Sequence, residues 1–317
     1  MTSSIDIKAD SKARFISSHN LALIILVITP ALLCSNLIVA RAVADIIPPF
    51  TLAFTRWLAA VLILLPFIST KLWRYRSILL AEWRQLLLLG SLGMGICGAF
   101  PYLGAKTTTA TNIGLIYALS PIFIILFART WYAEHLTKRQ LIGVLLSLGG
   151  VVIIVTKGDL ARLISLSFTV GDWWILAASA SWAFYSLWQG YLKSQLSLFL
   201  RFGAMSIGGV IALLPFSFIE VYQLLPLTIK REFVDVFVIT IIFLALVSSI
   251  LAYAAYAYIQ KILGASKASL VMYALPLYNA AMAWLFLDEK LQNFHFIGAL
   301  LILPGLFLAV SRKAKSQ

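Results

Sequence analysis

Stretches of about 20 predominantly apolar residues recur along this chain, parted by short polar segments. Ten of them are long enough to cross a hydrocarbon layer as helices. Five fall at roughly 21–43, 50–69, 86–104, 112–132 and 141–156, and five more at 173–191, 198–219, 236–258, 269–287 and 294–311. The first ~20 residues are polar with mixed charge, and no small-residue cleavage site follows the first apolar run. That run therefore reads as a retained span, not a signal peptide.

Composition sharpens the class. Of 317 residues, 62% are hydrophobic and 12% charged, whereas a soluble domain carries roughly 25% charged residues. The net charge of +13 would suggest nucleic acid in a soluble chain. Here it predicts no nucleic-acid partner, because basic residues of membrane proteins gather in cytoplasmic loops. Cys34 and Cys97 both fall inside apolar runs, which speaks against a disulfide framework or a metal site.

The apolar runs are organised as a duplication. Shifting the chain by 155 positions without a gap aligns 106–155 with 261–310 at 14 of 50 positions. Many of these matches are aliphatic and carry little weight. The pairs Lys106/Lys261, Pro121/Pro276, Glu134/Glu289, Gly143/Gly298 and Gly150/Gly305 carry more, since such residues are rare in membrane spans. With five spans per copy, the second copy must enter the membrane from the opposite side, an inverted repeat of the kind secondary transporters use. The expected fold is thus an all-α integral membrane protein of ten transmembrane helices, built as two inverted five-helix repeats. The division is a cytoplasmic tail at 1–20, a first repeat at 21–156, a connecting loop at 157–172, a second repeat at 173–311 and a cytoplasmic tail at 312–317.

Charge sets the orientation. With the N-terminus inside, cytoplasmic segments hold 16 of the 25 Lys and Arg, outer loops hold 7, and Arg56 and Arg201 lie within spans. That bias predicts both termini in the cytoplasm; the inner (plasma) membrane as the location is what the family resemblance below implies.

Two copies of a Pro…Glu…Gly hairpin, with an Arg early in the second span of each half, resemble the EamA family of the drug/metabolite transporter superfamily. The matching residues are Pro48-Pro49-Phe50 through Arg56, Leu119-Ser120-Pro121 with Glu134, and Ala274-Leu275-Pro276 with Glu289. The resemblance covers nearly the whole chain. It implies an inner-membrane carrier of small organic metabolites with a cavity between its halves.

The chemistry starts from what is missing. All 12 acidic residues and the three histidines fall in tails, loops or span ends. A proton relay needs such groups at depth, so transport is expected to be facilitated or coupled only through boundary residues. No cofactor or metal motif appears, and no paired carboxylates within spans suggest an enzyme. Arg56 is a candidate for attracting a substrate carboxylate or phosphate; the alternative for it and Arg201 is to hold neighbouring carbonyls. Glu134 and Glu289 are expected to cap the helix that follows each. Pro30, Pro121 and Pro276 mark hinges or static kinks.

Polar and aromatic groups supply the remaining substrate-binding candidates. Trp182, Tyr185 and Gln189 share one face of the sixth span, at i, i+3 and i+7. Tyr273, Tyr278 and Asn279 flank Pro276, Tyr253 and Tyr256 lie in the eighth span, and Asn36, Tyr102 and Tyr117 lie in the first, third and fourth. An apolar pocket with a few convergent polar groups is what a small-molecule site requires. Trp73, Trp83, Trp131 and Trp173 suit an interfacial aromatic belt instead.

The reading is a secondary transporter of small organic metabolites, working by alternating access within the lipid bilayer. The resemblance adds the direction, export, and the class, amino acids or related compounds. An alternative is uptake or exchange of an anionic or phosphorylated metabolite, with Arg56, joined by Lys106 or Lys261, as the anion ligand. A non-transporting membrane scaffold or enzyme is the rival from another class. Monomer and homodimer both stay open.

Overall fold

A computed structural model describes residues 3–43, 46–108, 110–163, 168–224, 231–287 and 290–310. Helices account for the architecture, with no strand among the described residues. In chain order they are α1 (Ser3–Ala42), α2 (Pro49–Arg74), α3 (Arg76–Ala105), α4 (Asn112–Tyr132), α5 (Lys138–Val155), α6 (Val170–Tyr191), α7 (Leu198–Leu224), α8 (Val234–Leu263), α9 (Val271–Leu287) and α10 (Asn293–Val310). Eight of them are long and apolar enough to cross a membrane, not the ten expected. α9 has 17 residues, and α6 has 22 but is interleaved with Trp, Tyr and Ser. These two occupy the expected sixth and ninth places. Leu80, Phe218, Ile239, Leu300 and Phe307 all point outward and exposed, as lipid-facing side chains do.

Local sequence explains the ends. Pro49 opens α2 at the first helical position, where its missing N–H costs nothing. Thr137 and Gln140 close a capping box at the start of α5. Gly264, at φ +90°, ends α8 in the left-handed region that favours glycine. The polar segment before residue 21, expected as a tail, forms the first turns of α1.

The two halves are tied most extensively through α5 and α10. A Cβ on Gly143 would run into the Gly305 carbonyl oxygen, and one on Gly150 would meet that of Gly298 at 2.7 Å. The helices therefore touch backbone to backbone and run antiparallel, since the N-terminal part of each meets the C-terminal part of the other. The 155-residue shift turns Gly143 into Gly298 and Gly150 into Gly305. It therefore converts one contact into the other, as an inverted repeat demands.

Other contacts come in the same mated pairs. α4 packs on α6 as α9 packs on α1; α3 packs on α6 as α8 packs on α1; α3 packs on α7 as α8 packs on α2. Even the irregularities repeat. α3 widens into a π-turn at Ser91–Ile96 and α8 into one at Leu244–Leu251, at positions the same shift superposes. π-turns of this kind collect at functional sites.

Helix breaks lie ahead of Pro121 and, six residues upstream, ahead of Pro276, which itself sits inside α9. α4 breaks at Ala118, ahead of Pro121, and a short segment, Ala265–Ser269, ends at Leu270 ahead of α9 and Pro276. A proline lacks the N–H that would continue the ladder and clashes with the carbonyl four residues back. Near the first bend, the Ile116 carbonyl accepts a hydrogen bond from Ser179 of α6 at 3.1 Å. Pro30 sits inside α1, which continues through it.

Gly143→Ala should lower the stability of the purified protein by about 1–3 kcal/mol, the usual cost of overpacking. Gly149→Ala, where an added Cβ meets nothing within 4 Å, should be neutral or stabilising. Thermal unfolding in detergent separates the two.

Candidate functional site

Where α2, α6, α7 and α8 converge, six rings pack into one cluster. Trp57 meets Tyr253 edge-on with centroids 4.9 Å apart, and Trp182 lies 4.9 Å from Tyr256, 5.5 Å from Tyr253 and 5.6 Å from Tyr185. Phe202 closes the group against Trp57 at 6.4 Å. The π-turn of α3 forms one wall. Its Gly93 leaves room for the Tyr185 ring, its Gly93 carbonyl accepts from the Tyr253 hydroxyl at 2.7 Å, and its Leu92 carbonyl accepts from Ser181 at 3.0 Å. All six rings are buried. Among the described residues the indole nitrogens of Trp57 and Trp182 have no hydrogen-bond partner, buried in otherwise apolar packing.

On one side of the cluster lies Arg56, only 1% exposed. Its Nη1 donates to Asn36 Oδ1 at 2.7 Å, and the Tyr102 hydroxyl donates to the same oxygen. Its guanidinium carbon stands 5.4 Å from the Trp57 ring centroid and 5.6 Å from that of Tyr102. The cation is thus stabilised by a dipole and two ring faces, with no carboxylate among its hydrogen-bond partners in the described residues.

On the other side, Arg201 donates from Nη1 to the Leu192 carbonyl at 3.1 Å and from Nη2 to the Gln189 carbonyl at 3.3 Å. It borders a cleft of about 350 Å³ between the end of α6, the start of α7 and the end of α8. A hydrogen-bond chain joins cluster to cleft: Tyr256 and Ser186 hydroxyls lie 2.7 Å apart, and Gln260 Nε2 donates to Ser186 Oγ at 2.6 Å.

A sequence profile described as the EamA-like transporter family matches residues 20–156 and again 169–311. The chain belongs to the EamA-like transporter family. It is a multi-pass membrane protein, and the profile's two matches coincide with its two halves. An uncharacterized transporter of Archaeoglobus fulgidus is 29% identical over 84% of this chain and 89% of its own length. The uncharacterized transporter YyaM of Bacillus subtilis is 27% identical over 70% of this chain and 72% of its own. A protein of Escherichia coli K12 named a probable amino-acid metabolite efflux pump is 25% identical over 69% and 75%. A solved crystal structure shares the fold, with a TM-score of 0.67 at 20% identity over 92% of this chain and 96% of that one.

In this EamA-like transporter, Trp182, Tyr185, Tyr253 and Tyr256 meet in the ring cluster. Asn36, Arg56 and Tyr102 form the buried cation site, and Gln189 lines the cleft. Tyr117 is half-buried beside the α4 bend. Tyr273 and Tyr278 belong to a different group, packed with α5 and α10, and Tyr278 donates to the Val27 carbonyl of α1. Asn279 is half-buried on α9.

Glu134 departs from its expected role. The capping box already serves α5, and Glu134 Oε2 instead accepts from Tyr191 at 3.0 Å and Ser266 at 2.5 Å, tying α4 to the second half. Glu289 lies outside the described residues. Trp57, Phe202 and Gln260 were missed. Gln260 follows Tyr253 by seven and Tyr256 by four, so helical spacing placed it on their face.

Asn36→Leu leaves the Arg56 Nη1 and the Tyr102 hydroxyl without their acceptor. A buried unsatisfied donor costs about 1–3 kcal/mol, so this variant should unfold at a lower temperature in detergent than Asn36→Asp, which keeps an acceptor oxygen.

Proposed function

We propose that this chain is a secondary transporter exporting small organic metabolites, amino acids or related compounds, across the inner (plasma) membrane by alternating access. One observation carries the reading. Two in-span arginines in corresponding places flank a shared aromatic chamber; Arg56 is sealed, while Arg201 borders an open cleft. A carrier that exposes its centre to one face at a time needs such a pair of ends. On this reading the breaks at Ala118 and Leu270 let α4 and α9 rock, and Pro121, Pro276 and Pro30, each short of one backbone N–H, soften the helices that carry them.

The basic bias of the loops supports cytoplasmic termini. That orientation turns the α6–α7 cleft toward the cytoplasm, the side from which an exporter loads. The name carried by the Escherichia coli relative agrees with the amino-acid class. Substrate would lie against Trp182, Tyr185, Tyr253 and Tyr256, and the scarcity of acidic groups at depth favours flux without obligatory proton coupling.

Counterflow in proteoliposomes tests this. With labelled amino acids and no imposed gradient, the wild type should exchange label, and Trp182→Leu should slow exchange about tenfold or more through loss of stacking surface. Flux that appears only under a proton gradient would contradict the coupling; no flux of any amino acid would contradict the substrate class.

A further inference from the structure

The end of α2 and the first turns of α3 carry Lys71, Arg74, Arg76 and Arg84, all exposed, against a single acidic residue, Glu82. That carboxylate is engaged elsewhere: Glu82 Oε2 accepts from Ser194 at 2.6 Å, and its charge acts on Arg201 of α7. The cations alternate with open rings. The guanidinium carbon of Arg76 stands 5.1 Å from the Trp73 ring centroid, and that of Arg84 stands 5.6 Å from that of Trp83. Trp73 is 72% exposed and Trp83 51%. Arg76 gives Nη1 to the Trp73 carbonyl at 3.4 Å. A guanidinium laid on a ring face keeps its remaining N–H edges for other acceptors.

Neither helix chemistry nor the fold asks for all of this charge. Lys71 and Arg74 suit the C-terminal end of α2. Arg76 opens α3, where the macrodipole opposes a cation, and the first turn holds no acidic residue to offset it. The 155-residue shift that turns α3 into α8 replaces Trp83 and Arg84 by Val238 and Ile239, both exposed. The second half fills the same place with neither ring nor charge. Depth then defines the partner. The uncharged stretch 86–105 covers about 30 Å, the thickness of the hydrocarbon layer. Arg84 lies just outside it, at the level of lipid phosphates, with exposed Leu88 one turn deeper on the same face. A partner that meets a cation there and apolar surface beneath it carries an anionic group joined to hydrocarbon.

We propose that the α2–α3 hairpin is a binding face for an anionic phospholipid, with the phosphate on Arg84, an acyl chain along Leu88, and Lys71, Arg74 and Arg76 supplying the surrounding positive field. A zwitterionic lipid brings its own cation into that field and gains less from it. Through Glu82 and Ser194 the face is tied to the connection between α6 and α7, which lines the Arg201 cleft. Placing the lipid in the cytoplasmic leaflet rests on the charge bias of the loops; the binding itself does not.

Native mass spectrometry of the purified full chain in a non-ionic detergent reads this face without knowledge of the transported compound. Titrated separately, phosphatidylglycerol should bind at least about tenfold more tightly than phosphatidylcholine. Arg84→Gln and Arg76→Gln should each cut that preference about fivefold, whereas Arg84→Lys should largely keep it. Arg129→Gln with Arg139→Gln, in the link between α4 and α5, removes as much charge from another hairpin and should leave the preference unchanged. Equal affinity for the two lipids, or a preference that survives Arg84→Gln, would overturn the assignment. Inorganic phosphate that displaces phosphatidylglycerol at equal concentration would give the face to a free anion, and a dimer lost in Arg84→Gln would give it to a second copy of the chain; either result overturns the proposal. Should the variants fail to fold, the unfolding temperature of the wild type replaces them: phosphatidylglycerol should raise it more than phosphatidylcholine does, and equal shifts would overturn the assignment.

Discussion

The contact on which the structure depends is the backbone-to-backbone crossing of α5 and α10. Gly143 faces Gly305 and Gly150 faces Gly298, with no side chain between them. In lipid, helices gain little from hiding apolar surface, because the surrounding tails are equally apolar. Close approach through small residues supplies the attraction instead, and only glycine permits it at these separations. The pairing also fixes geometry. Gly143 meets the repeat equivalent of Gly150, and Gly150 that of Gly143, so the halves must lie antiparallel about a two-fold relation.

The other mated contacts follow from that relation. Once α5 and α10 are exchanged by the two-fold, α1 and α6, α3 and α8, and α4 and α9 fall into equivalent places, π-turns included. Two facing walls then enclose the aromatic chamber, with an arginine at either side. The halves are not identical in detail. Asn36 gives Arg56 a side-chain acceptor, while Arg201 leans on the Gln189 and Leu192 carbonyls. On the transport reading, the difference between a sealed and an open end comes down to that local exchange of partners around one shared layout.

The duplication, the apolar runs and the sixth-span face of Trp182, Tyr185 and Gln189 were legible in the sequence. Each rests on spacing along one helix or on rare residues recurring at one interval. What was hidden depends on which helices meet. Trp57 lies next to Arg56 in the chain, but only the packing of α2 against α8 brings it to Tyr253. Tyr273 resembles Tyr253 in its apolar surroundings, yet α9 turns it toward α5 and α10. Glu134 looked like a cap because a helix follows it, and Thr137 with Gln140 had already taken that task. Among the described residues eight of the ten helices reach the length and apolarity of a span; the aromatic and serine residues of α6 lower its hydropathy, and α9 is 17 residues long.

The central claim is the inversion of the halves, and the turns before α5 and α10 report on it directly. Single cysteines at Thr137 and Gln292, both outside the helical spans, can be probed in intact cells with a membrane-impermeant thiol reagent. Inverted halves place the two on opposite faces, so the reagent should label Gln292→Cys from outside and reach Thr137→Cys only after permeabilisation. Labelling of both from the same face would contradict the account.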